Sequence, residues 1–210
     1  MRLKNVKGAK ERIEISKYII KDPVSLKGKY KTLFKNKKPI HLEIGTGKGD
    51  FLIGMAMKYP DINFLGIEKY DSVLVRAIEK VDELELNNIF FIREDAFIVD
   101  DMFDHEIEKL YLNFSDPWPK ERHTKRRLTS PIFLKKYDSI FKKGKEIQLK
   151  TDNRKLFEYS LISLTNNGYV INEMNLDLYD DMVKDNIPTE YETKFVKIGK
   201  TIYRGVFSKD

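Results

Sequence analysis

The chain has 210 residues, with 39 Lys and Arg, 33 Asp and Glu, and a formal net charge of +6. It has no Cys and 3 His, which excludes a disulfide scaffold, a thiolate metal site and a cysteine nucleophile and argues against a His-rich metal centre. No apolar run approaches the roughly 20 residues of a membrane span, and the first residues lack the apolar core of a secretory signal. We therefore expect one cytoplasmic domain with no membrane span and no metal.

Strand-like and helix-like stretches alternate along the chain. This alternation predicts βαβ units and a doubly wound, mostly parallel α/β sheet of seven strands. The last two strands have no helical pattern between them, which predicts an antiparallel hairpin at one edge. In chain order the predicted elements are strand 39–44, helix 51–59, strand 63–68, helix 72–86, strand 88–92, strand 109–114, helix 130–141, strand 146–150, helix 153–166, strand 170–174 and strand 201–207.

Positive charge is concentrated in two places. Residues 1–40 contain thirteen Lys and Arg against three Asp and Glu, and a second basic cluster covers residues 120–127. We divide the chain into a basic N-terminal arm, 1–35, and a single domain, 36–210. Basic clusters are found both on solvated surfaces and on surfaces that bind nucleic acid, and two of them in one basic domain favour a polyanionic partner.

Five consecutive predicted strands end at a carboxylate. Ligands of doubly wound sheets bind beyond the carboxyl ends of the strands, near the point where the strand order reverses. One acidic residue at a strand end means little, but five on one sheet edge predict a binding site. The five are Glu43, Glu68, Asp95, Asp116 and Asp152.

The first of these strand ends also carries a glycine loop. Gly45, Gly47 and Gly49 follow the G-x-G-x-G spacing, which differs from the dinucleotide fingerprint and from a phosphate-binding loop, and which also suits an ordinary tight turn. Glu43 before the loop would repel a pyrophosphate but suits the positively charged S-adenosylmethionine. Glu68 has the spacing of a ribose ligand, and Asp95 is placed to meet the adenine amino group.

Six segments resemble those of the bacterial single-chain tRNA (guanine-N7-)-methyltransferases, which are class I S-adenosylmethionine-dependent enzymes. They occur in the family's order and span most of the chain. The pair Asp-Pro-Trp-Pro-Lys and Arg-Arg-Leu is the most specific part, whereas many methyltransferases share the glycine loop. The segments are LEIGTGKG at 42–49, GIE at 66–68, FSDPWPK at 114–120, RHTKRRL at 122–128, TDN at 151–153 and TEYETKF at 189–195.

The resemblance implies a Rossmann-like methyltransferase sheet, S-adenosylmethionine as cofactor and a guanine in the tRNA variable loop as methyl acceptor. It implies Asp116 as the catalytic residue and leaves monomer or homodimer open. The implied cofactor-binding residues are Glu43, Gly45, Gly47, Glu68, Asp95 and Asp116. The implied substrate-binding residues are Lys120, Asp152, Thr189, Glu190, Tyr191 and Glu192. The implied RNA contacts are Arg122, His123, Thr124, Lys125, Arg126 and Arg127.

The chemistry of guanine N7 is compatible with these residues. N7 carries a lone pair and no proton, so its methylation needs no general base, and a nearby carboxylate can orient guanine and offset the positive charge of the product. Asp116, Asp152 and Glu192 are suited to that work. Trp118 can stack on a base or pack on the surface, and Tyr191 can stack on guanine or fill a gap. Alternative functions are methylation of another substrate, RNA binding without catalysis and, less favoured, nicotinamide-dependent oxidation.

Overall fold

The computed structural model describes residues 6–181 and 183–210, and the described residues form one eight-stranded sheet with helices on its two faces. The strands are β1 (Ile19–Ile20), β2 (Ile40–Ile44), β3 (Asn63–Ile67), β4 (Ile89–Ile92), β5 (Ile107–Asn113), β6 (Phe141–Thr151), β7 (Val170–Asn175) and β8 (Tyr203–Lys209). The α-helices are α1 (Ala9–Ile15), α2 (Tyr30–Phe34), α3 (Asp50–Lys58), α4 (Asp71–Leu84), α5 (Val99–Met102), α6 (Pro131–Ile140), α7 (Arg154–Asn166) and α8 (Glu190–Lys197). Two 3₁₀ helices cover Ala96–Ile98 and Glu121–Arg126.

The strand order is β1-β4-β3-β2-β5-β6-β8-β7. Neighbours from β1 to β6 are parallel, whereas β8 runs antiparallel to both β6 and β7. This confirms the mostly parallel α/β sheet and its antiparallel edge. The strands number eight rather than seven, because Ile19 and Ile20 pair with β4. Two residues are too short to show an alternating pattern in the sequence.

The core lies on both faces of the sheet, as a parallel sheet requires. On one face α1, α3 and α4 pack against the middle strands, with Leu52, Leu74 and Phe64 fully buried. On the other face α2, α5, α6 and α7 bury a larger cluster that includes Tyr137 and Phe157. After β2 the chain adds β3 and then β4 on one side of β2, and β4 also pairs with β1. The chain then crosses to the other side of β2 and forms β5. The strand order therefore reverses between β2 and β5.

Helix α8 corrects the expectation that no helix lies between the last two strands. Its sequence, EYETKFVK, is strongly polar and gives little apolar periodicity. A capping box begins the helix: the Thr189 side chain accepts from the Glu192 N–H, and the Glu192 carboxylate accepts from the Thr189 N–H. The Thr-x-x-Glu spacing is the sequence signal that could have located this helix.

The described part of the predicted N-terminal arm is folded onto the sheet. Ile13 is buried against the α4 side, and Tyr30 and Phe34 are buried in the cluster on the opposite face. Buried Glu106 accepts the backbone N–H groups of Gly28 and Tyr30, each at 2.8 Å. Residues 1–5 lie outside the described residues. The boundary at residue 35 remains a prediction, but residues 6–35 are a layer of the packed structure.

Candidate active site

A cavity of about 760 Å³ opens where β2, β3, β4 and β5 end, beside the reversal of strand order. This position is the expected ligand site of a doubly wound sheet, and the volume is within the usual range for a small-molecule site. Four predicted cofactor-binding residues line this cavity: Gly45, Glu68, Asp95 and Asp116. Lys125 and Arg126 of the basic cluster also line it.

Backbone N–H groups hold the two carboxylates at the β3 and β4 ends of the cavity. Glu68 is 8% exposed and accepts from Gly47 N at 3.1 Å and from Tyr70 N at 2.9 Å. Burial raises the pKa of Glu68, and these hydrogen bonds oppose the rise. Asp95 caps the first 3₁₀ helix by accepting from Phe97 N at 2.9 Å, and its other oxygen lies 3.4 Å from Lys69 Nζ.

The glycine loop leaves room for a ligand. Gly45 and Gly47 have φ of 81° and 58°, a region that favours glycine. A Cβ built on either residue would meet nothing within 4 Å, so the backbone faces open space. The nucleoside of S-adenosylmethionine fits this arrangement, because open backbone and the carboxylates of Glu68 and Asp95 lie around one cavity.

Apolar side chains form the wall that the sequence analysis missed. Phe97, Ile132 and Phe133 line the cavity, and the rings of Phe97 and Phe133 meet edge to face at 6.2 Å. Phe97 is 55% exposed, which leaves part of its ring open to the cavity. Ile132 and Phe133 come from α6, so their approach to Asp95 depends on tertiary packing. Of these three side chains, only Phe97 had a signal in the sequence, because it lies two residues after the strand-end carboxylate Asp95.

Glu43 lies beneath the glycine loop and does not line the cavity. It is 1% exposed, and its two oxygens accept from Thr46 Oγ1 at 2.6 Å and from Asn113 Nδ2 at 2.8 Å. Burial raises the pKa of Glu43 to about 7. Direct cofactor contact by Glu43 remains a prediction; in the structure the side chain joins the ends of β2 and β5.

The loop after β5 presents Asp116 in a strained turn. Phe114 and Trp118 have φ of 51° and 42°, in the left-handed region that non-glycine residues rarely adopt. Between them, exposed Asp116 lines the cavity. Arg127 holds the loop by donating to the carbonyl oxygens of Pro117 at 3.0 Å and Trp118 at 3.1 Å, while its guanidinium stacks on Tyr159 at 4.3 Å. Backbone strain of this kind is typical of functional loops.

The basic cluster divides into surface and supporting residues. The Arg126 guanidinium lies 4.9 Å from the Trp118 ring, whose edge contacts His123 at 5.7 Å. Thr124 Oγ1 donates to Glu121 O within the second 3₁₀ helix. Lys120, Arg122 and Lys125 are exposed, and of these three Lys125 lines the cavity. Arg127 donates to the loop, and its contact with RNA remains a prediction.

Of the remaining predicted substrate residues, Asp152 directly follows β6, and Thr189 to Glu192 form the cap and first turn of α8. Asp152 accepts from Lys200 Nζ at 2.7 Å, and Glu190 pairs with Lys48 of the glycine loop at 2.7 Å. Half-exposed Tyr191 contacts the Phe114 ring at 5.5 Å, which connects α8 to the cavity wall. Glu192 is fully buried and does not line the cavity.

Two further observations concern metal-binding side chains and membrane-crossing helices. Within residues 6–181 and 183–210, no three or more His, Cys, Asp or Glu side chains are grouped to hold a metal ion. No helix in the same ranges combines the length and apolar character that crossing a membrane requires.

Solved methyltransferase structures share this fold. A 16S rRNA methyltransferase, KamB, aligns with a TM-score of 0.66 and 10% identity over 87% of this chain and 93% of that chain. A SAM-dependent methyltransferase from Aquifex aeolicus aligns with a TM-score of 0.57 and 14% identity over 96% of this chain and 98% of its own. At such low identities the likeness establishes the fold alone.

Sequence comparison identifies the family. A family model described as "Putative methyltransferase" matches residues 37–205. The tRNA (guanine-N(7)-)-methyltransferase of Oceanobacillus iheyensis is 51% identical over 206 residues, covering 97% of each chain. That of Bacillus subtilis is 50% identical over 186 residues, covering 88% of this chain and 87% of the relative. Identity of this extent over nearly full length means that the chain belongs to the bacterial tRNA (guanine-N(7)-)-methyltransferase family.

Proposed function

We propose that this protein transfers a methyl group from S-adenosylmethionine to N7 of a guanine in the variable loop of tRNA. The observation that carries the proposal is that one cavity is lined by Glu68 and Asp95 and also by Asp116, Trp118 and Arg126. The two carboxylates named first suit a nucleoside cofactor, and the other three side chains combine a carboxylate, an aromatic ring and positive charge, which suit a base and its phosphates.

The residues have separate roles in this proposal. S-adenosylmethionine, when bound, supplies an electrophilic methyl group carried on a sulfonium. Glu68 accepts hydrogen bonds from the ribose, and Asp95 accepts from the adenine amino group, with Phe97 against the ring. Asp116 accepts from the guanine edge, aims N7 at the methyl group and offsets the positive charge of the product ring. No side chain removes a proton, because N7 has none.

Positive charge around the cavity mouth supports tRNA as the substrate. Lys125 and Arg126 line the cavity, and Arg122 is exposed on the same 3₁₀ helix. A small substrate would not need basic residues at the rim, whereas an RNA backbone requires them.

The product of the reaction tests the function directly. The purified protein is incubated with methyl-labelled S-adenosylmethionine and an unmodified tRNA transcript, and the labelled nucleoside is identified after digestion. We expect 7-methylguanosine from the variable loop, and no label in a transcript whose variable-loop guanines are replaced. Label in another nucleoside, or cofactor binding without transfer to RNA, would contradict the proposal.

A further inference from the structure

A fully buried lysine connects the sheet to the segment that carries α8. We call residues 176–181 and 183–200, which join β7 to β8, the cover segment. Lys150 on β6 is 0% exposed, and its Nζ donates to Glu192 Oε2 at 2.6 Å, Ile187 O at 3.0 Å and Asn186 Oδ1 at 3.1 Å. All three acceptors belong to the cover segment, so the three N–H donors of the Lys150 ammonium all bind that segment.

Glu192 is enclosed from the opposite side. Its Oε1 accepts from Asn186 Nδ2 at 2.7 Å and from the Tyr179 hydroxyl at 3.0 Å. Its Oε2 accepts from Lys150 and, in the capping box, from the Thr189 N–H at 3.3 Å. Both oxygens have partners and the residue is 0% exposed. In this geometry Glu192 anchors the first turn of α8 and does not face the cavity.

The backbone of the same lysine also holds the loop that carries Asp116. The Phe114 N–H donates to the Lys150 carbonyl oxygen at 2.8 Å, at the point where the loop carrying Asp116 begins. The Phe114 ring lines the cavity and contacts Tyr191. The backbone of Lys150 therefore holds one side of the predicted guanine site, and its side chain holds the other.

Stability alone does not account for this pair. Replacing a buried ion pair with apolar residues of similar volume is often neutral or stabilising, because both charges lose their hydration. Burial lowers the pKa of Lys150, which reflects that cost, although Glu192 opposes it. A buried pair does fix geometry, and a displacement of about 1 Å at a reacting group can cost about a hundredfold in rate.

We propose that Lys150 is a positioning residue for the tRNA substrate. It sets the separation between the Asp116 loop and the Thr189–Tyr191 side of the site, and it does so through Glu192. The inference rests on the proposed function, because it concerns how guanine is placed for methylation.

The variant Lys150→Met keeps the approximate length of the side chain and removes its positive charge. We expect kcat/KM for tRNA to fall about 10- to 100-fold, while the Kd for S-adenosylmethionine stays within about twofold. We also expect faster hydrogen exchange at the Glu192 and Thr193 amides, with unchanged exchange in β5. The matched control is Lys142→Met, on the same strand, which removes an exposed pair with Glu108 and should change neither constant.

A milder variant keeps the test decisive if Lys150→Met does not fold. Tyr179→Phe removes one hydroxyl donor to Glu192 from a partly exposed residue and should lower kcat/KM for tRNA by at least about threefold, again without loss of cofactor affinity. The inference is overturned if the folded variants keep wild-type kcat/KM, or if cofactor affinity falls in parallel. A wild-type protein that does not methylate tRNA would instead refute the proposed function.

Discussion

Asp116 is the residue whose charge the proposed chemistry uses most directly. Asp116→Asn keeps the size of the side chain and removes the negative charge that offsets the cationic product. We expect kcat to fall about 100- to 1,000-fold, as for other electrostatic contacts that act in the transition state, with cofactor Kd nearly unchanged. Single-turnover methylation and calorimetry measure the two quantities. Asp101→Asn, at an exposed site on α5, is the matched control.

The pH dependence of the same reaction separates Asp116 from Glu43. Because N7 has no proton to lose, the reaction needs no general base, and we do not expect Asp116 to act as one. Burial raises the pKa of Glu43 to about 7, so ionisation of this carboxyl under the glycine loop can produce a limb of the pH–rate profile near pH 7. A limb near pH 7 should therefore persist in Asp116→Asn and disappear in Glu43→Gln. The reverse pattern would indicate proton abstraction and a different methylated atom.

Glu68 should matter to the cofactor more than to tRNA. Glu68→Ala removes the predicted ribose contact and also releases the Gly47 N–H that it accepts. A hydrogen bond to a charged group contributes about 1.5–3 kcal/mol, so we expect cofactor affinity to fall by one to two orders of magnitude. Calorimetry on the free enzyme measures this, and unchanged affinity would contradict the placement of the ribose.

Neighbouring arginines should give different defects. Arg126 is exposed at the cavity, so Arg126→Ala should weaken tRNA binding and reduce the slope of log affinity against log salt by about one. Arg127 holds the Pro117 and Trp118 carbonyls, so Arg127→Ala should lower kcat and leave the salt slope unchanged. Equal salt slopes in the two variants would show that both are phosphate contacts or that neither is.

At the scale of an element, the start of α8 can be tested through its cap residue, Thr189. Thr189→Ala removes the cap, at a cost of about 1 kcal/mol to the helix. We expect kcat/KM for tRNA to fall several-fold and the Glu192 amide to exchange faster. Thr189→Ser keeps the hydroxyl and should behave as the wild type. A defect in Thr189→Ser as large as that in Thr189→Ala would exclude the cap as the cause.

The elements also show which parts of the site a sequence can reveal. Glu68, Asp95 and Asp116 were predicted at one cavity because the carboxyl ends of parallel strands meet at one sheet edge. The burial of Glu192 was not predicted, because it depends on an ion pair with Lys150, which lies 42 residues away in the sequence. Strand β1 was missed because two residues carry no pattern. The contacts of Arg127 with the Pro117 and Trp118 carbonyls were not predicted either, because sequence alone does not show where a guanidinium points.

For the whole molecule, the N-terminal layer combines packing with charge. Deleting residues 6–35 would remove Tyr30 and Phe34 from the core, where each large side chain contributes about 3–5 kcal/mol, so a truncation reports on folding. Replacing exposed Lys21, Lys29 and Lys31 by Ser leaves that packing intact. We expect these replacements to weaken tRNA binding, measured by gel shift at several salt concentrations, with the melting temperature and cofactor affinity unchanged. Unaltered tRNA affinity would assign the layer to packing alone.

The strand order has a consequence for synthesis of the protein on the ribosome. Strand β8 is the last of the eight in the sequence, yet it lies between β6 and β7 and hydrogen-bonds to both. Until residues 203–209 emerge, β6 has an unpaired edge and β7 has no partner in the sheet, which is the kind of exposed strand that associates with other chains. A nascent chain that stops after α8 would hold every predicted catalytic and binding residue and still lack a closed sheet. Prematurely terminated products of this kind are therefore expected to need chaperones or proteases rather than to retain partial activity.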